Sequence, residues 1–186
     1  MAAADGLRRA AMAKAVLISI RPRWTGLILS GEKTLELRRT RPNLTPPFKC
    51  YVYCSMGRKP WVRKDVPGIR QDGHIVAEFV CDKITRLTHV GATGDLRAPE
   101  LMAVKGRSPE PAMNFDGGRS CLTLSEIERY LDGGDGFIWH ISSLKTYGRP
   151  KLLSELTGLR TTKFGSAPVK LTRPPQDWYY VEELER

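Results

Sequence analysis

Lys33, Glu36 and Arg38 fall within the stretch "GEKTLELR", Gly31 to Arg38, directly after an apolar run. On a β-strand, residues two apart share a face, so Thr34, Glu36 and Arg38 project together while Leu35 and Leu37 turn towards a core. Lys33, at the turn that enters the strand, is free to swing to the same side as Glu36. A guanidinium held by a carboxylate suits the reading of a phosphate or a base edge. A lysine beside that pair can serve as a point charge or, if desolvated, as a base, and Glu36 can act as a general base on water. Lys33 and Glu36 are therefore the candidate catalytic residues. The plain alternative is a solvated ion pair between Glu36 and Arg38 worth under about 1 kcal/mol.

Other residues of the right chemistry lie near these in the chain or on strands that can reach them. Arg21 and Arg23 flank Pro22 and are candidate phosphate contacts, and Trp24 is either a stacking surface for a base or a core residue. Trp139 and His140 are consecutive on an expected strand and so face opposite ways, one filling the interior and the other, His140, a candidate for the cleft. Trp61 stands among Arg58, Lys59, Arg63 and Lys64, the composition of a nucleic-acid loop, although one tryptophan can also anchor such a loop to the fold.

The elements that must position these groups can be read in order. "KAVLISI" is a β-branched run ending before Pro22; "PRWTGLILS" has apolar residues at helical spacing, a proline for the first turn and Gly31 as a C-terminal cap. "KTLELRR" gives a second strand, and Phe48 to Ser55 a third. Residues 56–73 read as a basic loop, "GHIVAEFVCDKITRLTHV" as a long strand, and 91–119 as an insertion of low regularity. "TLSEIERYLDGG" carries a capping box, with Thr123 and Glu126 three apart, before a glycine stop. "GFIWHISSLKTY" is a further strand, and the tail ends in a strand at Trp178 to Val181. The expected fold is mixed α/β but mainly β: a small antiparallel barrel with short flanking helices. Residues 1–13 read as a leader with Met12 as an alternative start, and 14–186 as one domain.

Charge is the most informative bulk property. Residues 1–70 hold 15 Lys and Arg against 4 Asp and Glu, whereas residues 71–186 hold 15 against 16, so the whole basic excess lies in the first part. This asymmetry favours a polyanionic partner, most often nucleic acid, through counterion release. No apolar run approaches the roughly 20 residues needed to span a bilayer, and no cleavage site follows the first apolar segment, so the expected location is cytoplasmic without a membrane partner. In "FKCYVYCS" the alternation places Cys50 and Cys54 on one strand face with Val52, a core pattern of reduced thiols; Cys81 and Cys121 are isolated. No metal and no cofactor is expected.

Gly31, Lys33, Glu36 and Arg38 reproduce G-x-K-x-x-E-x-R, and in this context of strand, short helix and signature strand the chain resembles the ASCH domain family. The resemblance extends to "GHIVAEFVCDKI" and to "GFIWHISSLKTYGRPKLLSEL", over most of residues 15–155. It implies a PUA-like β-barrel, a cleft lined by the signature residues and a role connected with RNA. Some small bacterial relatives hydrolyse the amide of N4-acetylcytidine with a lysine of this signature, a threonine nucleophile three residues later and a glutamate before a later helix. Here Lys33 matches, Glu36 occupies the threonine position, and Asp116 is the acid closest to the expected glutamate near Ser120. A carboxylate cannot perform the hydroxyl-nucleophile chemistry. The leading expectation is binding of RNA or a modified nucleotide through Arg21, Arg23, Trp24, Lys33, Glu36, Arg38 and His140. The alternatives are a hydrolase acting on a nucleoside or RNA, and a protein-interaction module.

Overall fold

The computed structural model describes residues 13–63, 70–90, 95–97, 114–115, 118–163 and 165–184. The expected leader lies outside these apart from Ala13, as do residues 64–69 of the basic loop and most of the 91–119 insertion.

The apolar run forms β1 (Lys14–Ile20), whose residues 15–18 are all buried. Both its faces are covered, because Val16, Ile18 and Ile20 enter one core while Ala15 and Leu17 enter another. Pro22 opens α1 (Pro22–Leu29), and Gly31, at φ +76°, supplies the left-handed residue that ends it. The signature strand β2 (Leu35–Arg38) follows, then β3 (Phe48–Cys54), β4 (His74–Val90), β5 (Asp95–Arg97), and β6 (Asn114–Phe115) paired with β7 (Gly118–Arg119). Thus the described parts of the insertion are short strands, with β5 extending the end of β4 as an antiparallel partner. The expected capping box is formed at α2 (Leu124–Leu131): the Thr123 hydroxyl accepts from the Glu126 amide, and the Glu126 carboxylate accepts from the Thr123 amide. The remaining elements are β8 (Gly136–Lys151), a 3-10 turn (Leu153–Glu155), β9 (Thr157–Thr162), β10 (Gly165–Lys170) and β11 (Trp178–Glu182). The β9–β10 hairpin has no counterpart in the sequence reading.

The main sheet runs β10-β9-β11-β1-β3-β4-β8-β2, with β5 attached to β4. Two features correct the expected antiparallel barrel. β1 and β3 are parallel, so the sheet is mixed. The ladder also ends at β2 and β10 without joining: β1 already has β3 on one edge and β11 on the other, leaving none for β2. Even so, the sheet curls far enough for the Arg38 side chain on β2 to reach the Ser19 carbonyl on β1 at 2.8 Å.

Inside the curl, Val16, Ile18, Phe48, Val52, Phe79 and Trp139 form the main core. On the outer side, α2 lays Ile127 and Leu131 against Leu35, Leu37 and Ile138. β2 is paired so that Glu36 lies beside Trp139, and Leu35 beside His140, which sorts the charged signature residues to the inner side and the leucines to the α2 side. Cys50, Cys54 and Cys81 are buried free thiols; burial pushes Cys54 and Cys81 up to about 12 and Cys50 well above the ordinary value, so all three stay protonated near neutrality.

Trp139 is fully buried and packs edge-on to Phe48 at 5.9 Å between centroids, while its indole N–H has no hydrogen-bond partner. Its contribution is therefore packing alone. Trp139→Ala should cost about 3–5 kcal/mol in urea unfolding, whereas Trp139→Phe, which keeps one of the two fused rings and loses some buried volume together with an unpaired donor, should cost distinctly less.

Candidate functional site

The three signature side chains meet. The Glu36 carboxylate is bracketed, with one oxygen 2.9 Å from the Arg38 guanidinium and the other 3.3 Å from Lys33 Nζ. Lys33, Glu36 and Arg38 are only 2%, 7% and 7% exposed, so the exposed-pair alternative does not apply. Lys33 precedes the strand rather than belonging to it, held by its amide donating to the Leu27 carbonyl at the end of α1. Its ammonium donates to the carbonyls of Leu35, at 2.7 Å, and Ser120, at 2.5 Å, besides contacting Glu36. Two hydrogen bonds and one ion pair thus hold the ammonium in place.

Arg38 is held from the other side by a residue that sequence reasoning missed. Asp177, just before β11, accepts from it at 2.7 Å and also accepts from the Thr40 hydroxyl at 2.9 Å. Burial disfavours the Arg38 cation, but the carboxylates of Glu36 and Asp177 outweigh it and leave the pKa above the ordinary value. The guanidinium keeps one buried N–H, at Nε, without a hydrogen-bond partner.

These groups floor a hollow of about 720 Å³ between β2, the start of α1, α2 and the segment 174–177. Its walls include Trp24 and Tyr130, and Arg21 and Arg39 stand at its margin. Trp24 is half-buried: it packs on the main core yet lines the hollow, and the cations of Arg23 and Lys33 lie 4.3 and 5.5 Å from its ring centroid. Arg23 is largely exposed and reaches Glu126 of α2 at 3.7 Å. Four cations line the hollow (Arg21, Lys33, Arg38, Arg39) against three carboxylates (Glu36, Glu126, Asp177), so its interior is close to neutral and its basic character sits at the mouth.

His140 is not brought there. It shares the β2 partner position with Leu35 and its ring contacts the Thr85 hydroxyl at 3.0 Å, on the side away from Glu36. The strand alternation allowed either member of the Trp139–His140 pair to face inward, and the large apolar ring took the core. Asp116 lies outside the described residues. Thr34 serves the scaffold, its hydroxyl accepting from the Arg119 amide at 2.9 Å. Among the described residues no group of three His, Cys, Asp or Glu side chains could hold a metal ion, and no helix is long and apolar enough to cross a membrane.

The basic loop beside α1 is anchored by Asp72, which is 1% exposed and accepts from the Trp61 amide and from the Arg70 guanidinium, all near 2.9 Å. Trp61 packs on the main core and against Gly26 of α1, so it does anchor the loop.

Two outcomes are expected from these arrangements. Glu36→Ala removes the carboxylate that two buried cations share, leaving Lys33 only neutral carbonyls and Arg38 only Asp177 as a charged partner, and should destabilise the fold by about 3–5 kcal/mol in urea unfolding. Asp72 is held at about 2, below its ordinary 3.8, chiefly by the Arg70 side chain. Because its folded value is the lower one, it stabilises the protein above pH 4 and loses that contribution as pH falls from about 4 towards 2. Unfolding curves across this window should show a fall in stability that is smaller in Asp72→Asn.

No protein-family model and no curated protein matches the chain. Among solved structures it is similar to the ASCH protein of Zymomonas mobilis, with 16% identity over 91% of this chain and 88% of that one and a TM-score of 0.47. Two single-substitution variants of that protein are similar at 14% identity: one covers 92% of each chain with a TM-score of 0.49, and the other covers 91% of this chain and 89% of that one with a TM-score of 0.48. The chain thus resembles ASCH-domain structures along about nine tenths of its length.

Proposed function

We propose that the hollow holds one base of a single-stranded nucleic acid, RNA in preference to DNA, with the backbone phosphates outside it. The observation that carries this reading is the fixed, buried Lys33–Glu36–Arg38 group at the base of a hollow with aromatic walls. A phosphate would favour a net positive floor, and this floor is balanced by Glu36 and Asp177. What it offers is a carboxylate acceptor beside guanidinium N–H, the pattern that a neutral polar edge with both donors and acceptors can match. Trp24 and Tyr130 supply flat surfaces for such a ring, and Arg21, Arg23 and Arg39 stand where phosphates would pass. The volume suits a ligand of that size. The ASCH-like signature points in the same direction.

A Lys33 ammonium held by two carbonyls and by Glu36 favours a holding role over a proton-transfer role, which leaves Glu36 as the group on which a hydrolytic reading would depend.

Fluorescence anisotropy with a short labelled RNA tests the proposal. Binding should weaken with salt, with a log–log slope of about −2 for three phosphate contacts, and Trp24→Leu should weaken it by about fivefold to a hundredfold, the range of one base stack. Salt-independent binding, or an unchanged affinity in Trp24→Leu, would reject the base-in-hollow reading. Equal affinity for the matching DNA would reject the preference for RNA.

A further inference from the structure

A second hollow, of about 560 Å³, lies on the other side of α1. Pro22, Arg23, Gly26 and Leu29 of the helix form one wall, and Trp61 and Arg63 of the basic loop the other. Its position is set by the fold. The Trp61 ring lies against the helix at Gly26, where a Cβ would stand 3.4 Å from it. Asp72 and the Gln71 amide, which donates to the Trp61 carbonyl at 2.8 Å, hold the loop backbone from below.

The chemistry of this groove differs from that of a solvated loop. Residues 56–63, "MGRKPWVR", contain three cations and no acid. Within that stretch Val62 is 42% exposed and Met56 68%, while the tryptophan is half-buried with part of its surface lining the groove. A flat aromatic surface and apolar neighbours set among cations form the pattern on which single strands stack bases while cations meet the backbone. One carboxylate, Glu32, also borders the groove and is engaged by the Ser30 hydroxyl at 2.8 Å.

Arg23 connects the two hollows. It lines the second, while its guanidinium lies over Trp24, which lines the first. We infer that the groove between α1 and the 56–63 loop is a second nucleotide subsite, in which the base next to the one in the cleft stacks on Trp61 while Arg23 meets the phosphate between them. The inference rests on the reading of the cleft for the identity of the strand, but it concerns different residues and a different quantity, the gain in affinity with length.

The test compares a mononucleotide with RNA of three and six residues, in wild type, Trp61→Ser and Gly26→Leu. The glycine variant fills the groove from the helix side while Asp72 and Gln71 still hold the loop backbone, and thermal melts establish that both variants are folded. The expected result is a wild-type affinity that rises from one to three residues, with that rise cut at least fivefold in both variants and mononucleotide binding unchanged. An unaltered rise in both folded variants, or no rise in wild type, overturns the subsite. So does an equal loss of mononucleotide affinity, which would mean that Trp61 only supports α1. Competition by poly-glutamate as effective as that by RNA of equal charge would overturn the nucleic-acid assignment. If the mononucleotide fails to bind but the longer RNA binds in a manner that needs Trp61 and an open groove, the cleft reading falls and the subsite stands.

Discussion

A guanidinium buried between two carboxylates is the constraint on which the site depends. Arg38 leaves the end of a four-residue strand and must satisfy its charge away from water, and it does so against Glu36 two residues back and Asp177 at the far end of the chain, with the Ser19 carbonyl between. Removing a guanidinium from water costs several kcal/mol, which only closely placed partners offset. That requirement draws β2, β1 and the segment before β11 together across a gap that no backbone ladder spans. The hollow is therefore the place where the sheet fails to close, lined by the side chains that bridge it.

The same arrangement explains why a strongly basic protein has a nearly neutral cleft floor. The positive excess of the first 70 residues is carried largely outside the hollow, on Arg21, Arg23 and Arg39 at the mouth and on the loop that follows β3. Buried cations are tolerated only beside carboxylates that balance them, whereas exposed cations need no partner and set the long-range field. On the proposed reading, attraction and recognition fall to different residues: the surface would gather a polyanion, and the floor would match a polar shape.

Much of this was legible in sequence because it is local. Strand alternation put Glu36 and Arg38 on one face and Leu35 and Leu37 on the other; Pro22 and Gly31 marked both ends of α1; the Thr123 and Glu126 spacing marked the start of α2. What escaped was long-range. Asp177 is 139 residues from Arg38 and lies in a proline-bearing segment without any periodic signal. The parallel pairing of β1 with β3 and the occupation of the other β1 edge by β11 are choices of pairing, which no single strand's pattern reveals. For Trp139 and His140, period-two alternation separates the two side chains without saying which of them faces inward.

The helix α1 has only eight residues, yet it determines where both hollows lie. Its two ends are specified by residues with little alternative: a proline whose missing N–H costs nothing in the first turn, and a glycine in the left-handed conformation that turns the chain into the signature. Between them, Thr25 and Ile28 are buried and tie the helix to the core, the Thr25 hydroxyl donating to the carbonyls of Ile20 and Arg21. With its axis so fixed, successive residues must point to different sides: Trp24 towards the cleft, Arg23 and Gly26 towards the groove. Helical geometry thus places an aromatic wall and a cation next to each other on a ridge between two concave surfaces. An exposed guanidinium on such a ridge, lying over Trp24 and paired with Glu126 at 3.7 Å, can give up that carboxylate for a stronger acceptor at little cost. The buried guanidinium of Arg38 cannot, so on the proposed reading anion capture falls to the ridge and shape discrimination to the floor.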